Sequence, residues 1–281
     1  MQYAKPELLA ETDWLADHLN DPGIAVVDCE ELNAYLRIHV EGAVGLRTHH
    51  YLKDRNDPSF GTGVHVMPPE QFERVMSGHG VSNDSLVVAY DSMGGLYAAR
   101  LWWTLRYYGH TNCKVLNGGF RKWYEEGRPV SLDQPHVEWT QFKTQPPRTE
   151  ICATRAQVES AIDDNGTIIW DVRAHTEYTG DDPRQNKRGG HIPSARNLEW
   201  LDLTAPPTRS GLLLPAEEIE QKLQAAGVTP DKHVITHCQA GIRAAFGMFV
   251  LDLMGYPSVA SYDASWNEWG NLDDTPVVQG E

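Results

Sequence analysis

The chain has 281 residues, a length that favours two domains over one. Its hydrophobic fraction of 41% excludes a disordered chain, and no apolar run reaches the length of a membrane span, so we expect a soluble globular protein. A formal net charge of −15 argues against nucleic acid and anionic membranes as partners, because both need a basic protein face.

The N-terminus and the cysteines favour a reducing compartment. The first seven residues lack the basic stretch and apolar core of a secretory signal, so a cytoplasmic location is expected. The four cysteines show neither a disulfide framework nor a Cys-x-x-Cys zinc motif, which predicts reduced thiols. Three of them, Cys29, Cys113 and Cys152, are predicted to be ordinary core residues, since free cysteine is among the most buried residue types.

The first half of the chain predicts a strand, turn, helix, strand pattern. Residues 24–29 favour a strand, residues 33–39 a short helix, and residues 48–66 a surface excursion. Its His49 and His50 could reach a cleft, but two adjacent histidines in such a segment are usually solvated. Further along, the pattern predicts a helix opened by prolines at 67–72, strands at 85–91 and 115–116, and helices at 96–108 and 120–126.

The same pattern returns in the second half. Asp84, Val87 and Asp91 recur as Asp231, Val234 and Cys238, each 147 residues later. Downstream, Trp123 recurs as Trp269 at an offset of 146, so the first copy carries one extra residue in its turn. The repeat predicts two tandem homologous α/β domains, each with a central parallel sheet flanked by helices.

The domain boundaries are predicted from composition. A polar, proline-interrupted segment predicts a linker over residues 131–152, between a first domain at 1–130 and a second at 153–281. Asp91 stands where the second domain has Cys238, and a carboxylate cannot perform thiol chemistry. We therefore expect a catalytically inactive first domain that shapes one wall of a cleft between the domains.

The segment Val-Ile-Thr-His-Cys-Gln-Ala-Gly-Ile-Arg, residues 234–243, carries the candidate chemistry. A β-branched run before Cys238 predicts a buried strand, and the apolar residues after Arg243 predict a buried helix. The thiol is thus expected at a turn where backbone N–H groups, a helix N-terminus and Arg243 favour a thiolate. The plain alternative is a buried core cysteine, which the polar and flexible neighbours of Cys238 disfavour.

The length of the turn narrows the choice of electrophile that the Cys238 thiolate could attack. A thiolate held by amides can attack sulfane sulfur, phosphorus or arsenic. Phosphatases with this architecture use a Cys-x5-Arg turn, whereas Cys238 and Arg243 are separated by four residues. The shorter turn suits a terminal sulfur atom and predicts a persulfide on Cys238, with phosphate hydrolysis as the least favoured alternative.

Several motifs along the whole chain resemble the two-domain rhodanese family of thiosulfate and 3-mercaptopyruvate sulfurtransferases. In the first half they are Val-Val-Ala-Tyr-Asp at 87–91, Arg-Leu-Trp-Trp at 100–103 and the segment 115–123. In the second half they are Trp-Asp-Val-Arg at 170–173, Gly-His-Ile-Pro-Ser-Ala at 190–195, Thr-His-Cys at 236–238 and Tyr-Asp-Ala-Ser-Trp at 262–266.

The resemblance implies roles for individual residues. Cys238 is the implied sulfur acceptor, and Arg243 is the second implied catalytic residue. The implied substrate-binding residues are Gln239, Ala240, Gly241, Ile242 and Arg173. Arg173 has an alternative role, because an Asp and an Arg two residues apart at a strand end often pin a loop. The loop matches neither the vertebrate thiosulfate pattern nor the mercaptopyruvate pattern, and it is closest to bacterial thiosulfate enzymes. Glu177 stands where the former two place a substrate-binding arginine.

The activity implied by the resemblance is transfer of sulfane sulfur from thiosulfate to cyanide or a thiol, without a metal or organic cofactor. The alternative donor is 3-mercaptopyruvate. An alternative of another class is a persulfide carrier or interaction module that delivers sulfur to a protein partner.

Overall fold

The computed structural model describes residues 2–46, 52–54, 66–206 and 211–281. In the first half the strands are β1 (Leu9–Ala10), β2 (Ile24–Asp28), β3 (His39–Val40), β4 (Val44–Gly45), β5 (Leu86–Tyr90), β6 (Cys113–Leu116) and β7 (Val130–Ser131). The helices are α1 (Thr12–His18), α2 (Leu32–Tyr35), α3 (Pro69–Gly78), α4 (Leu96–Tyr107) and α5 (Gly119–Glu125). A parallel sheet in the order β1-β6-β5-β2-β4 forms its centre, and β3 pairs with β7 as a small antiparallel ribbon.

The second half repeats this arrangement. Its strands are β8 (Thr167–Asp171), β9 (Arg196–Asn197), β10 (His233–His237) and β11 (Val259–Ser261), in a parallel sheet of order β11-β10-β8-β9. The helices are α6 (Arg155–Ala161), α7 (His175–Thr179), α8 (Ala216–Ala225), α9 (Ile242–Leu253) and α10 (Ser265–Trp269). Central strands such as β5 and β10 are largely buried on both faces, as expected where helices cover both sides of a parallel sheet. The predicted fold class, two tandem α/β domains with parallel sheets, is confirmed.

One predicted helix is too long. The helix expected at residues 33–39 ends at Tyr35, and His39 begins β3. The backbone of His39 and Val40 pairs with β7, 90 residues later in the chain, and the imidazole of His39 bonds to the Tyr35 carbonyl at 2.8 Å. Tertiary pairing therefore overrides the local helix preference. The excursion predicted at 48–66, with His49 and His50, lies largely outside the described residues.

The two halves pack through α4 and α9, the helices that follow the two equivalent turns. Trp102 of α4 meets Phe249 of α9 edge to face, with ring centroids 5.1 Å apart, and both side chains are buried. At the end of α9, Asp252 pairs with Lys5 at 2.6 Å and with Arg106 at 3.3 Å. One apolar core consequently extends across both domains. Among the described residues, no helix is long and apolar enough to cross a bilayer.

Candidate active site

Cys238 follows directly on β10, which lies between β8 and β11 in the second sheet. The turn after it leads into α9, so the thiol lies at the carboxyl end of a central parallel strand, the usual position of sites in open α/β sheets. Only 1% of the residue is exposed. The strand and helix predicted around Cys238 are confirmed.

The turn directs a backbone N–H at the sulfur. Gly241 adopts a left-handed conformation with φ +80°, and its N–H donates to Cys238 Sγ at 3.1 Å. On the other side, Ser265 Oγ accepts the Cys238 N–H at 3.0 Å and lies 3.9 Å from Sγ. The first N–H groups of a helix have no intrahelical acceptor, so those of Ile242 and Arg243 at the start of α9 are not used within the helix. The thiol therefore lies in a polar turn.

The equivalent turn of the first domain binds a carboxylate through its backbone N–H groups. The carboxylate of Asp91 accepts four backbone N–H groups at 2.8 Å, from Met93, Gly95, Tyr97 and Ala98. The turn leads into α4 through Gly95 at φ +86°, as the second turn leads into α9 through Gly241. In this fold the turn between strand and helix thus surrounds an anion with amides, and in the first domain the anion is a side chain.

Arg243 is paired with a carboxylate. Its Nη1 and Nη2 donate to the two oxygens of Glu177 at 2.6 and 2.9 Å, and Arg184 Nε approaches the same carboxylate at 2.8 Å. Burial would raise the pKa of Glu177, but the hydrogen bonds and charge of Arg243 outweigh it and hold that pKa below its usual value. Glu177 is therefore ionised and offsets the charge of Arg243, a pairing that the sequence analysis did not predict.

Gln239, predicted to bind substrate, forms a reciprocal amide pair with Asn186. Gln239 Nε2 donates to Asn186 Oδ1 at 2.9 Å, and Asn186 Nδ2 donates back to Gln239 Oε1 at 3.1 Å. Asn186 lies in the segment between α7 and β9 that also carries Arg184, whose backbone has φ +51°. Gln239 thus fixes this segment at the edge of the turn. Spacing along the sequence could not reveal Arg184 or Asn186, because both act through tertiary contacts.

Arg173 does not line the pocket at Cys238. The residue is 1% exposed, and its guanidinium donates to both oxygens of Asp171 and to the Gly190 carbonyl at 2.8 Å. The guanidinium also lies 4.5 Å from the Trp266 ring centre. These contacts join Arg173 to a strand-end carboxylate, a backbone carbonyl and a buried ring. The geometry therefore favours the loop-pinning alternative for Arg173 over the predicted substrate contact.

His237 also lies away from the pocket. Its side chain is fully buried, with Nε2 3.5 Å from Asp171 Oδ2. Burial lowers the pKa of His237 to about 4, against the opposing charge of Asp171. The imidazole is thus neutral at physiological pH, and it faces Asp171 rather than a substrate.

The pocket at Cys238 has a volume of about 360 Å³ and lies between the domains. The second domain contributes the thiol, Gln239, Ala240, Ile242 and Arg243, and the first contributes an apolar wall. The remaining lining residues are Met93, Leu96, Tyr97, Ala174, Glu177, Arg184, Glu199 and Trp200. Within the described residues, no group of three His, Cys, Asp or Glu side chains is placed to hold a metal ion.

The other cysteines lie apart from this pocket. Cys29 and Cys113 are buried and free, as predicted, whereas Cys152 is partly exposed rather than in the core. Burial raises the pKa of Cys113 well above that of an ordinary thiol and that of Cys152 to about 12. Both are therefore protonated and weakly nucleophilic at neutral pH.

Comparison with known proteins decides the family. The model of the rhodanese-like domain matches residues 11–126 and again residues 154–272. The chain belongs to the rhodanese-like family. The resemblance inferred from the sequence motifs is confirmed, and the family is present in two tandem copies.

Curated relatives of this rhodanese-like protein match over its full length. The sulfur carrier protein TtuD of Thermus thermophilus is 35% identical over 100% of both chains. A putative thiosulfate sulfurtransferase of Haloferax volcanii is 33% identical over 99% of this chain and 98% of its own. A putative thiosulfate sulfurtransferase SseA of Mycobacterium leprae is 35% identical over 99% of this chain and 93% of its own. These names are those of sulfurtransferases or sulfur carriers of the rhodanese type.

A solved structure has the same fold. The anaerobic ergothioneine biosynthesis enzyme from Chlorobium limicola superimposes with a TM-score of 0.86 over 100% of this chain and 72% of its own, at 22% sequence identity. At this level of identity the likeness concerns the fold alone.

Proposed function

We propose that this rhodanese-like protein transfers sulfane sulfur from thiosulfate to a thiophilic acceptor through a persulfide on Cys238. The observation that carries the proposal is the Gly241 N–H, 3.1 Å from a sulfur that lines a pocket between the domains. A donor bound in this pocket would contact Cys238 Sγ, and the amides of the turn would surround the sulfur that is transferred. Cys238 and Arg243 are the proposed catalytic residues, and Gln239, Ala240, Gly241 and Ile242 the proposed binding residues.

In the first step the Cys238 thiolate attacks the outer sulfur of thiosulfate. A new sulfur–sulfur bond forms, the bond between the two thiosulfate sulfurs breaks, and sulfite leaves with the bonding electron pair. The transferred sulfur carries negative charge, which the Gly241 N–H and the amides at the start of α9 stabilise.

In the second step the acceptor removes that sulfur. The carbon lone pair of cyanide attacks the outer sulfur of the persulfide, thiocyanate leaves, and the Cys238 thiolate is restored. A thiol acceptor would take the sulfur in the same way and become a persulfide itself. In each step the electrons balance between the group that gives up the sulfur and the group that takes it, so no external oxidant or reductant enters the cycle.

The first domain is proposed to be catalytically inactive, with the predicted boundaries 1–130, 131–152 and 153–281. Asp91 occupies the Cys238 position, and its carboxylate already accepts the amides of its own turn. A substrate anion would have to compete with this covalently attached carboxylate. The role left to this domain is to form one wall of the pocket.

The proposal is tested by intact mass. After incubation with thiosulfate and removal of excess donor, the protein is expected to be heavier by one sulfur atom, and cyanide should return the original mass. A protein that gains no sulfur from thiosulfate would contradict the proposal. Comparing kcat/KM for thiosulfate and 3-mercaptopyruvate then tests the donor, and a large preference for mercaptopyruvate would replace thiosulfate in the scheme.

A second candidate function is delivery of the persulfide sulfur to a protein, because one full-length relative is named a sulfur carrier protein. Isotopically labelled sulfur loaded on Cys238 distinguishes the two. A carrier would transfer label to a partner protein in cell extract faster than to cyanide or small thiols at matched concentrations. Equal or faster transfer to the small acceptors would favour the enzyme.

Replacing Glu177 by Gln is expected to lower KM for thiosulfate roughly tenfold, with a smaller change in kcat. Glutamine keeps the size of the side chain but no longer neutralises Arg243, so the cation is available to the donor anion. Steady-state kinetics at constant ionic strength measure the effect. Glu159→Gln is the matched control, since it removes one of two carboxylate partners of Arg155, a partly buried arginine outside the pocket. An unchanged or higher KM in Glu177→Gln would show that Glu177 does not limit donor binding.

A further inference from the structure

A lysine of the first domain reaches the catalytic turn of the second. Lys53 is 4% exposed, and its Nζ donates to the Ala240 carbonyl oxygen at 2.7 Å. The same Nζ lies 3.9 Å from Asp263 Oδ1, and Arg100, also from the first domain, pairs with this carboxylate oxygen. Lys53 and Arg100 of the first domain thus meet a carboxylate of the second domain beside the turn, and Lys53 contacts the turn itself.

The hydrogen bond from Lys53 acts on the peptide that faces the sulfur. The Ala240 carbonyl and the Gly241 N–H belong to one peptide unit, which is planar with the two groups pointing in opposite directions. Holding the carbonyl toward Lys53 therefore points the N–H away from Lys53, where it meets Cys238 Sγ at 3.1 Å. A rotation of this peptide would break both hydrogen bonds together.

We propose that Lys53 is a positioning residue for sulfur transfer, which fixes the Ala240–Gly241 peptide so that its N–H stabilises the sulfur on Cys238. This inference rests on the proposed function. It gives the first domain a part in the chemistry although it has no thiol of its own at the equivalent turn. Lys53 does not line the pocket, so it acts through the peptide and not through the donor.

The charge of Lys53 changes near neutral pH. Burial lowers its pKa to about 7, against the attraction of Asp263, and Arg100 lowers it further. Cys238 and Cys152, both described residues, act in the opposite direction and raise it. An ammonium donates a stronger hydrogen bond than a neutral amine, so the positioning effect weakens as the pH rises through about 7.

The test compares Lys53→Met and Lys53→Arg with wild type by quenched-flow mass spectrometry of sulfur gain from thiosulfate. Lys53→Met is expected to form the persulfide about 10- to 100-fold more slowly, with little change in the donor concentration for half-maximal rate. Lys53→Arg is expected to keep most of the rate and, because Arg stays charged, to lose the decline above pH 7. Lys5→Met, which removes another lysine–aspartate pair between the domains, is the matched control and should keep the wild-type rate.

Two results would overturn the inference. One is a Lys53→Met rate equal to those of wild type and Lys5→Met; the other is a pH profile shared by wild type and Lys53→Arg. Alkylation of Cys238 by iodoacetamide provides a readout without sulfur transfer, and it should slow in Lys53→Met. If wild type gains no sulfur from thiosulfate, the proposed function fails, whereas slower alkylation in Lys53→Met would still support the positioning role and an unchanged alkylation rate would contradict it.

Discussion

Replacing Cys238 by Ser is expected to lower sulfur transfer by on the order of 10⁴-fold or more and to abolish the gain of sulfur by mass. The hydroxyl would occupy the same position under the Gly241 N–H, but it ionises poorly and forms no persulfide. The measurement is thiocyanate production from thiosulfate and cyanide, together with the intact mass after donor treatment.

The matched control for this substitution is Cys113→Ser, which exchanges a buried, free cysteine in β6 of the first domain. This variant should keep the wild-type turnover. Persulfide formation that persists in Cys238→Ser would assign the chemistry to another thiol, and the partly exposed Cys152 would be the first to examine.

Replacing Gly241 by Ala is expected to reduce turnover by about 100-fold. The residue has φ +80°, a conformation that costs an L-residue roughly 1 kcal/mol or more. An added Cβ would also lie 2.3 Å from Asp263 Oδ1 and 2.8 Å from the Asp263 carbonyl oxygen. The turn would have to move, and the N–H that faces Cys238 would move with it.

The control variant Gly127→Ala separates the effect of the left-handed backbone conformation from the effect of the clash with Asp263. Gly127 has φ +67°, but an added Cβ would meet no atom within 4 Å. Both variants should lose stability from the backbone conformation, and Gly241→Ala should lose more because its Cβ also meets Asp263. Chemical denaturation measures both losses, and only Gly241→Ala is expected to lose turnover. Equal turnover in the two variants would show that the geometry of the Gly241 N–H is unimportant for the reaction.

The sequence was informative wherever structure depends on neighbouring residues. The β-branched run before Cys238 and the apolar run after Arg243 predicted β10 and α9, because periodicity records which faces are buried. The offset between the copies located the extra residue of the first turn, and Gly95 and Gly241 indeed occupy the same position before α4 and α9.

The residues that contact the turn at 238–243 could not be predicted from periodicity or from the repeat. Glu177 lies 66 residues before Arg243, and Lys53 lies 187 residues before Ala240, so each contact depends on how separate elements pack. No periodicity encodes the direction of a long charged side chain. For the same reason the sequence left Arg173 open to two interpretations, and its contacts with Asp171 and Gly190 favour the loop-pinning one.

The acidic composition raised the question of how an anionic donor is attracted to a chain with a net charge of −15. The sequence predicted that Arg243, together with the amides of the turn, attracts the donor. Glu177, however, pairs with Arg243 and offsets its charge. Arg184, half exposed at the pocket, adds a second cation to the same carboxylate. The Gly241 N–H, which donates to Cys238 Sγ, adds to this attraction, which is why the Gly241 peptide is central to the proposed chemistry.

The packing of α4 on α9 also affects how the protein folds during its synthesis. The first domain emerges from the ribosome before α9 has been made, and domains generally begin to fold in that order. Until then, the side of α4 that carries Trp102 has no Phe249 to cover it. The nascent chain therefore passes through a stage with an exposed aromatic surface, and completion of α9 both covers this surface and assembles the thiol pocket.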